Sequence, residues 1–214
     1  GIERSNKKTD TNLTQSIRIE LKNVSILINN NQIHYPDLSL STGEIYLIKG
    51  PSGSGKSLFL SLLAGHITPT FGSINSFQLS DLESTSEHIK CRMMQQKDFL
   101  FAGTVEENLI FDEPLSDERR EFISSLFKQL KLHPEIDFST SIHENGNNIS
   151  GGQAQRLHLI RCLSDVAPVY LLDEPTSALD PKLENIVIQI LKEISKRSIV
   201  VVATHSNSRI LDKL

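Results

Sequence analysis

Eight residues, Gly50-Pro51-Ser52-Gly53-Ser54-Gly55-Lys56-Ser57, follow the spacing G-x-x-x-x-G-K-[ST] of a phosphate-binding P-loop. Glycines let the backbone turn tightly and approach a ligand with no Cβ in the way. Successive N–H groups can then point inward at phosphate oxygens, while Lys56 adds a point charge and Ser57 offers a hydroxyl to Mg²⁺. A second constellation is Val169-Tyr170-Leu171-Leu172-Asp173-Glu174, an apolar run that ends in two adjacent carboxylates. At the tip of a buried strand, Asp173 suits a hydrated Mg²⁺, which takes few carboxylates, and Glu174 suits orienting and polarising an attacking water. A third is Ile149-Ser150-Gly151-Gly152-Gln153, where Ser and Gly at a helix start expose backbone N–H groups to an anion. By itself this last pattern is also an ordinary helix cap.

Elements must hold these groups in place. Residues 44–48 read as a buried strand leading into the glycine-rich loop, and residues 57–64 as a helix whose N-terminus faces the anion. Residues 17–21 alternate like a half-buried strand, 24–28 continue the β character, and 72–77 and 89–94 are short strand candidates. Residues 105–111, 117–132 and 151–163 are expected to be helical, with acidic residues opening the second. Another helix is expected over 182–196, followed by a strand over 199–203. Apolar runs alternating with helices imply a parallel sheet with ligands at the carboxyl ends of its strands. The central helices are expected to form a separate small lobe.

Composition narrows the class. A chain of 214 residues, 38% hydrophobic, can bury one good core with a lobe attached. Charges nearly balance, with 22 Lys and Arg against 26 Asp and Glu for a net of −4, which argues against a nucleic-acid partner. No apolar run approaches the roughly 18 residues of a membrane span, and no signal peptide is visible. Cys91 and Cys162 have no metal-ligand spacing and read as buried free thiols of a reducing compartment. Residues 1–16 are polar and aperiodic, as in a linker or flexible arm. The first residue is Gly1 rather than Met, and the expectation is a segment cut from a longer polypeptide.

The glycine-rich loop, the Ser-Gly-Gly-Gln helix start and the Asp-Glu strand, in that order, resemble the nucleotide-binding domain of ABC ATPases over about residues 17–214. The resemblance implies an α/β fold: a P-loop (RecA-like) core with a mostly parallel sheet, an N-terminal antiparallel β part and a helical subdomain. Core segments would be 17–96 and 165–214, and the helical subdomain 97–164. It also implies further site residues. Gln96 resembles the family's glutamine that ligates Mg²⁺ and water and senses the transmembrane partner; it is preferred to Gln95 for its place five residues before Phe101. Ser177-Ala178-Leu179-Asp180 resembles the loop that crosses the dimer interface, and His205 the histidine that contacts the γ-phosphate. One departure is notable. Family members usually stack an aromatic side chain on adenine, and aligning residues 21–25 with their first strand puts Ile28 at that place, with Tyr35 the nearest aromatic. Ile149 for the usual Leu is a mild apolar exchange.

In such a family two domains stack head to tail and sandwich two nucleotides, so the resemblance implies ATP and Mg²⁺ as cofactors and a second nucleotide-binding domain as partner. Gly50, Pro51, Ser52, Gly53, Ser54, Gly55, Lys56 and Ser57 of one subunit and Ser150, Gly151, Gly152 and Gln153 of the other would close on one nucleotide. Ser57, Gln96 and Asp173 would surround Mg²⁺, and Lys56, Gln96, Glu174 and His205 would carry catalysis. Residues 100–109 resemble exporter-type members, as do 140–146, although His143 replaces the first Gly of that segment. The expectation is therefore the ATP-hydrolysing motor of an exporter-type half-transporter, coupled to a fused or separate transmembrane domain. It would work at the cytoplasmic face of a membrane, the bacterial inner membrane. The separate ATPase subunit of an importer is the closer rival. A soluble ABC ATPase of DNA maintenance or translation is the other, but residues 57–149 hold no heptads, the chain carries a single cassette, and no zinc cysteines are present. The transported substrate is not legible here.

Overall fold

The computed structural model describes residues 16–78, 84–85, 90–96, 98–110 and 115–205. Most of the expected N-terminal arm, and any helix after His205, lie outside the described residues. In chain order the elements are β1 (Ile17–Ile28), β2 (Asn31–His34), β3 (Leu38–Ser41), β4 (Ile45–Lys49), α1 (Lys56–Leu63), β5 (Phe71–Gln78), β6 (Ser84–Thr85) and β7 (Cys91–Met94). They continue as β8 (Gly103–Thr104), α2 (Val105–Leu109), α3 (Asp117–Gln129), β9 (Ser141–Ile142), α4 (Gly151–Leu163), β10 (Val169–Asp173), α5 (Pro181–Ser195) and β11 (Ile199–Thr204). The class is α/β, with a parallel sheet and a separate antiparallel one, as the resemblance implies.

The parallel sheet runs β4-β11-β10-β7 among the described residues. Its inner strands β10 and β11 are buried along their whole length, which is why they read as unbroken apolar runs. Side chains alternate between two cores. Val169, Leu171, Ile199, Val201 and Ala203 face α1 and the alternating Ile17, Ile19 and Leu21 of β1. Tyr170, Leu172, Val200 and Val202 face the other way and bury with Leu157 and Ile160 of α4, Val187 and Leu191 of α5, and Ile123 and Leu126 of α3. The central helices thus share a core with one face of the sheet. The antiparallel sheet is built on β1, which pairs with β2, β3 and β5.

Several bounds differ from expectation for local reasons. The β character expected over 17–21 and continued over 24–28 is one strand, since pairing with β5 carries the ladder across an irregularity between Lys22 and Ser25, where Asn23 takes φ 52°. Ile110 is already extended, so α2 stops at Leu109. Lys131 takes φ 54° just past Leu130, which ends α3 before Leu132. α5 starts a residue early at Pro181, whose missing N–H is harmless in a first turn, and Asp180 caps it by accepting from the N–H groups of Lys182 (2.8 Å) and Leu183 (3.0 Å).

Leu171 lies at the centre of β10 with no exposed surface. Leu171→Ala is expected to destabilise the chain by about 2–5 kcal/mol. Urea unfolding would read this directly, and a loss below about 1 kcal/mol would mean the site collapses around the cavity.

Candidate functional site

Register makes the site. Lys49 pairs with Thr204, Ile48 and Asp173 both pair with Ala203, and Met94 pairs with Leu172. All these strands are parallel, so the glycine-rich loop, the Asp173-Glu174 pair, His205 and the turn holding Gln96 leave the sheet at one edge, its carboxyl edge.

The loop is shaped by its own residues. Gly53 and Gly55 sit at φ 78° and 89°, left-handed values that a Cβ disfavours. Gly55 is the N-cap of α1 and provides no side-chain cap, so the first N–H groups of the helix are left for an anion. Lys56 Nζ donates to the carbonyls of Gly50 (2.8 Å) and Pro51 (3.0 Å), folding the ammonium back over the loop, with Lys56 only 9% exposed. The Tyr35 hydroxyl donates to the Gly55 carbonyl at 3.3 Å and so props the loop from β2's side, a role the sequence did not suggest.

Ser57, one residue into α1, donates its hydroxyl to Asp173 Oδ2. This brings together two oxygen-bearing residues 116 positions apart, one from the glycine-rich loop and one from the Asp-Glu strand tip. Glu174 follows, 5% exposed, with φ 53°, which costs roughly 1–2 kcal/mol in a residue with a side chain. Three bonds hold its backbone: its N–H donates to the Ala203 carbonyl at 2.9 Å, and its own carbonyl accepts from Gln155 Nε2 at 2.8 Å and from the Ser177 N–H at 3.2 Å. Its side chain accepts a long bond from Thr204 Oγ1 at 3.4 Å on Oε2. His205 Nε2 stands 3.3 Å from Oε1, yet that oxygen is buried and lacks an aligned donor. A buried, unsatisfied carboxylate oxygen is a ready acceptor for a water proton.

Burial raises the Glu174 carboxyl above the usual carboxylate value, and Asp173 adds to the rise; His205 and Lys56 oppose it. The other predicted residues lie apart. Gln96 is exposed in the turn after β7, and among the described residues no hydrogen bond ties it to Ser57 or Asp173. Ser150 caps α4 in a reciprocal box with Gln153: its oxygen accepts from the Gln153 N–H at 3.2 Å, and its N–H donates to Gln153 Oε1 at 2.7 Å. Gly151 faces open space, and no hydrogen bond links residues 150–153 to the glycine-rich loop among the described residues. Gly152 has a close neighbour instead, since a Cβ there would sit 3.4 Å from the Ala178 carbonyl. Cys91 and Cys162 are free, and burial pushes the Cys162 thiol up to about 12.

A glycine-rich loop opening a helix beside an Asp-Glu strand tip, on a parallel sheet, defines a P-loop nucleotide-binding domain. A family model described as "ABC transporter" matches residues 33–177, most of the chain, and a second, "AAA domain, putative AbiEii toxin, Type IV TA system", matches the shorter stretch 148–212. The chain belongs to the ABC transporter family, as its ATP-hydrolysing domain. It is 34% identical over 200 residues to a probable ABC transporter ATP-binding/permease protein of Haemophilus influenzae, covering 89% of this chain and 36% of that protein. It is 39% identical over 163 residues to the thiamine import ATP-binding protein ThiQ of Yersinia pestis, covering 74% of this chain and 66% of that one. A solved bacterial Atm1-family ABC exporter with ATP bound shares the fold, with a TM-score of 0.74 at 22% identity over 90% of this chain and 35% of that one.

A raised carboxyl binds its proton more tightly folded than unfolded, so its contribution to stability is full below the ordinary value of ~4.3 and lost as pH rises through the raised one. Glu174→Gln is therefore expected to be more stable than the parent near neutral pH, with the gap closing as pH falls to that value. Denaturant midpoints at several pH values would check this, and a less stable variant at neutral pH would contradict it.

Proposed function

We propose that this chain is the motor domain of an exporter-type ABC transporter, hydrolysing ATP to drive a transmembrane domain at the cytoplasmic face of a membrane. The single observation that carries the chemical reading is Glu174, buried with an unsatisfied carboxylate oxygen beside the Ser57–Asp173 pair and the glycine-rich loop. On this reading 17–96 and 165–214 form the core and 97–164 a helical subdomain, whose α3 and α4 bury against one face of the sheet. The family's ATP-binding/permease relative supports a membrane partner, since this chain spans about a third of its length. No described helix is long and apolar enough to cross a membrane.

Each residue then has a task. Backbone N–H groups of the loop, Pro51 excepted, and the Lys56 ammonium hold the β- and γ-phosphates. The oxygen donors Ser57 and Asp173, with Gln96 once the turn after β7 approaches, fit Mg²⁺, which prefers oxygen, few carboxylates and substrate phosphates. Bound there, Mg²⁺ would neutralise phosphate charge. Glu174 accepts the proton of the attacking water, its raised affinity for protons making it a better base than an exposed carboxylate. His205, 47% exposed in its side chain and within reach of Glu174, faces the γ-phosphate. Little covalent work is required, because phosphoryl transfer is accelerated mainly by position and charge.

The second half of each site comes from a second nucleotide-binding domain. Ser150, Gly151, Gly152 and Gln153 start a capped, outward-facing helix without a link to their own loop, which suits contact with a nucleotide on a partner in a head-to-tail pair. A free importer subunit is the second reading, favoured by the thiamine import relative.

Lys56→Ala is expected to abolish ATP binding by calorimetry, because the ammonium has no substitute in the loop. Glu174→Gln is expected to keep ATP binding, lower hydrolysis by about a hundredfold or more, and accumulate a closed dimer in sizing runs with Mg·ATP. A Glu174→Gln chain that hydrolyses at the parent rate would remove Glu174 from the reaction. Immunoblotting of fractionated source cells separates the two readings: a large membrane-embedded band supports a fused half-transporter, and a small band stripped by salt supports the importer subunit.

A further inference from the structure

Gly55 is the N-cap of α1, and its carbonyl accepts the first bond of the helix, from the Phe59 N–H at 2.9 Å. The same oxygen takes a second donor, the Tyr35 hydroxyl, at 3.3 Å. The residues that supply these donors also pack together: the Tyr35 and Phe59 rings lie 5.0 Å apart, tilted by 39°, with Phe59 buried. Tyr35 is itself anchored, since its N–H donates at 2.9 Å to the carbonyl of Val24, a residue of β1 with no exposed surface. A Cβ on Gly55 would stand 3.3 Å from the Tyr35 hydroxyl and 3.8 and 3.9 Å from carbons of Ile33. Ile33 and Tyr35 thus close over one side of the glycine.

Gly55 needs that support. Glycine reaches φ 89° without strain, but it reaches negative φ as readily, so the residue does not hold its own turn. What is at stake is one peptide plane. The Gly55–Lys56 bond is trans, so the Gly55 carbonyl and the Lys56 N–H point in opposite directions from it. Pinning the carbonyl toward Tyr35 and Phe59 aims the Lys56 N–H the other way, out of the uncapped start of α1 and into the glycine-rich loop. A second bond on the carbonyl also polarises the amide, which makes its N–H a stronger donor. Resting on the reading of residues 50–57 as the phosphate site, we infer that Tyr35 is a positioning residue for phosphate: its hydroxyl holds the Gly55–Lys56 plane in the orientation from which the Lys56 N–H meets a polyphosphate. A plane free to turn lowers the fraction of chains ready to bind, and apparent affinity falls with that fraction. Burial pushes the phenol above its ordinary value, so the donor keeps its proton throughout the neutral range.

Tyr35→Phe removes the hydroxyl and keeps the ring. The test is calorimetry on the full chain with ATP and with inorganic tripolyphosphate, the latter reporting the loop without base or ribose. Tyr35→Phe is expected to weaken both by the same factor, about two- to tenfold, the worth of one neutral hydrogen bond. Its urea midpoint is expected to stay near the parent's, because the ring still packs on Phe59. In the ligand-free chain, exchange of the Phe59 amide hydrogen is expected to quicken in Tyr35→Phe, as the carbonyl that accepts it is less firmly held. Tripolyphosphate bound as tightly by Tyr35→Phe as by the parent overturns the inference and leaves Tyr35 a packing residue. Weakening of ATP alone also overturns it, since the hydroxyl would then act beyond the phosphates, and so does an unchanged Phe59 exchange rate. If the unmodified chain binds neither tripolyphosphate nor ATP, the reading of the loop falls, and the inference with it.

Discussion

The hydrogen-bonded register of β11 between β4 and β10 is the constraint on which the site depends. Those ladders bring Lys49, Thr204 and Asp173 to one edge, so that three loops distant in sequence start side by side. A slip of one residue would turn every side chain of β11 to the wrong core. It would also carry the Ala203 carbonyl away from the Glu174 N–H that it holds at 2.9 Å. Complete burial of both inner strands guards against such a slip, because two separate apolar cores, one on each face, would have to be exchanged at once.

Electrostatics at that edge follow from the same placement. Glu174 is kept out of water by the strands beneath it and held at a left-handed backbone angle by bonds to its own N–H and carbonyl. Its neighbours do not fully satisfy it. Lys56, in contrast, finds two carbonyls of its own loop, and Ser57 finds Asp173. To meet phosphate and metal oxygens, Lys56 and Ser57 would exchange these partners, so the site holds its donors close to their task but not already in it.

Much of this was legible in the chain because the decisive groups are sequence-local. Residues 50–57 carry their own turn chemistry, and Val169-Tyr170-Leu171-Leu172 announces a buried strand whose end must present Asp173 and Glu174. Asp180 and Ser150 are recognisable caps with their helices directly behind them. What escaped depends on pairing between distant segments. Nothing near Gln155 says that its amide will grip the carbonyl of Glu174, 19 positions away. The left-handed turn at Glu174 is imposed by Ala203, and the continuity of β1 past Asn23 by β5, neither of which a local pattern encodes. Tyr35 is visible in the sequence as a ring, yet its contact with Gly55 comes from the β1–β2 register. Helix ends at Leu109 and Gln129 moved because single residues, Ile110 and Lys131, left helical geometry inside otherwise apolar-periodic stretches.

The bond from Gln155 to Glu174 has a mechanical meaning. Gln155 stands five residues into the helix that Ser150 begins, about 8 Å along its axis at 1.5 Å per residue. The same helix rests Gly152 against the Ala178 carbonyl. A rigid rod whose tip points outward, and whose shank grips the backbone of a buried acid, behaves as a lever with a very short arm. In a head-to-tail pair, whatever pulls on that tip from the neighbouring subunit's nucleotide would tug the acid of its own subunit within one or two helical turns. The two nucleotides would then sense each other through a few ångströms of solid helix, with no need for the whole domain to deform.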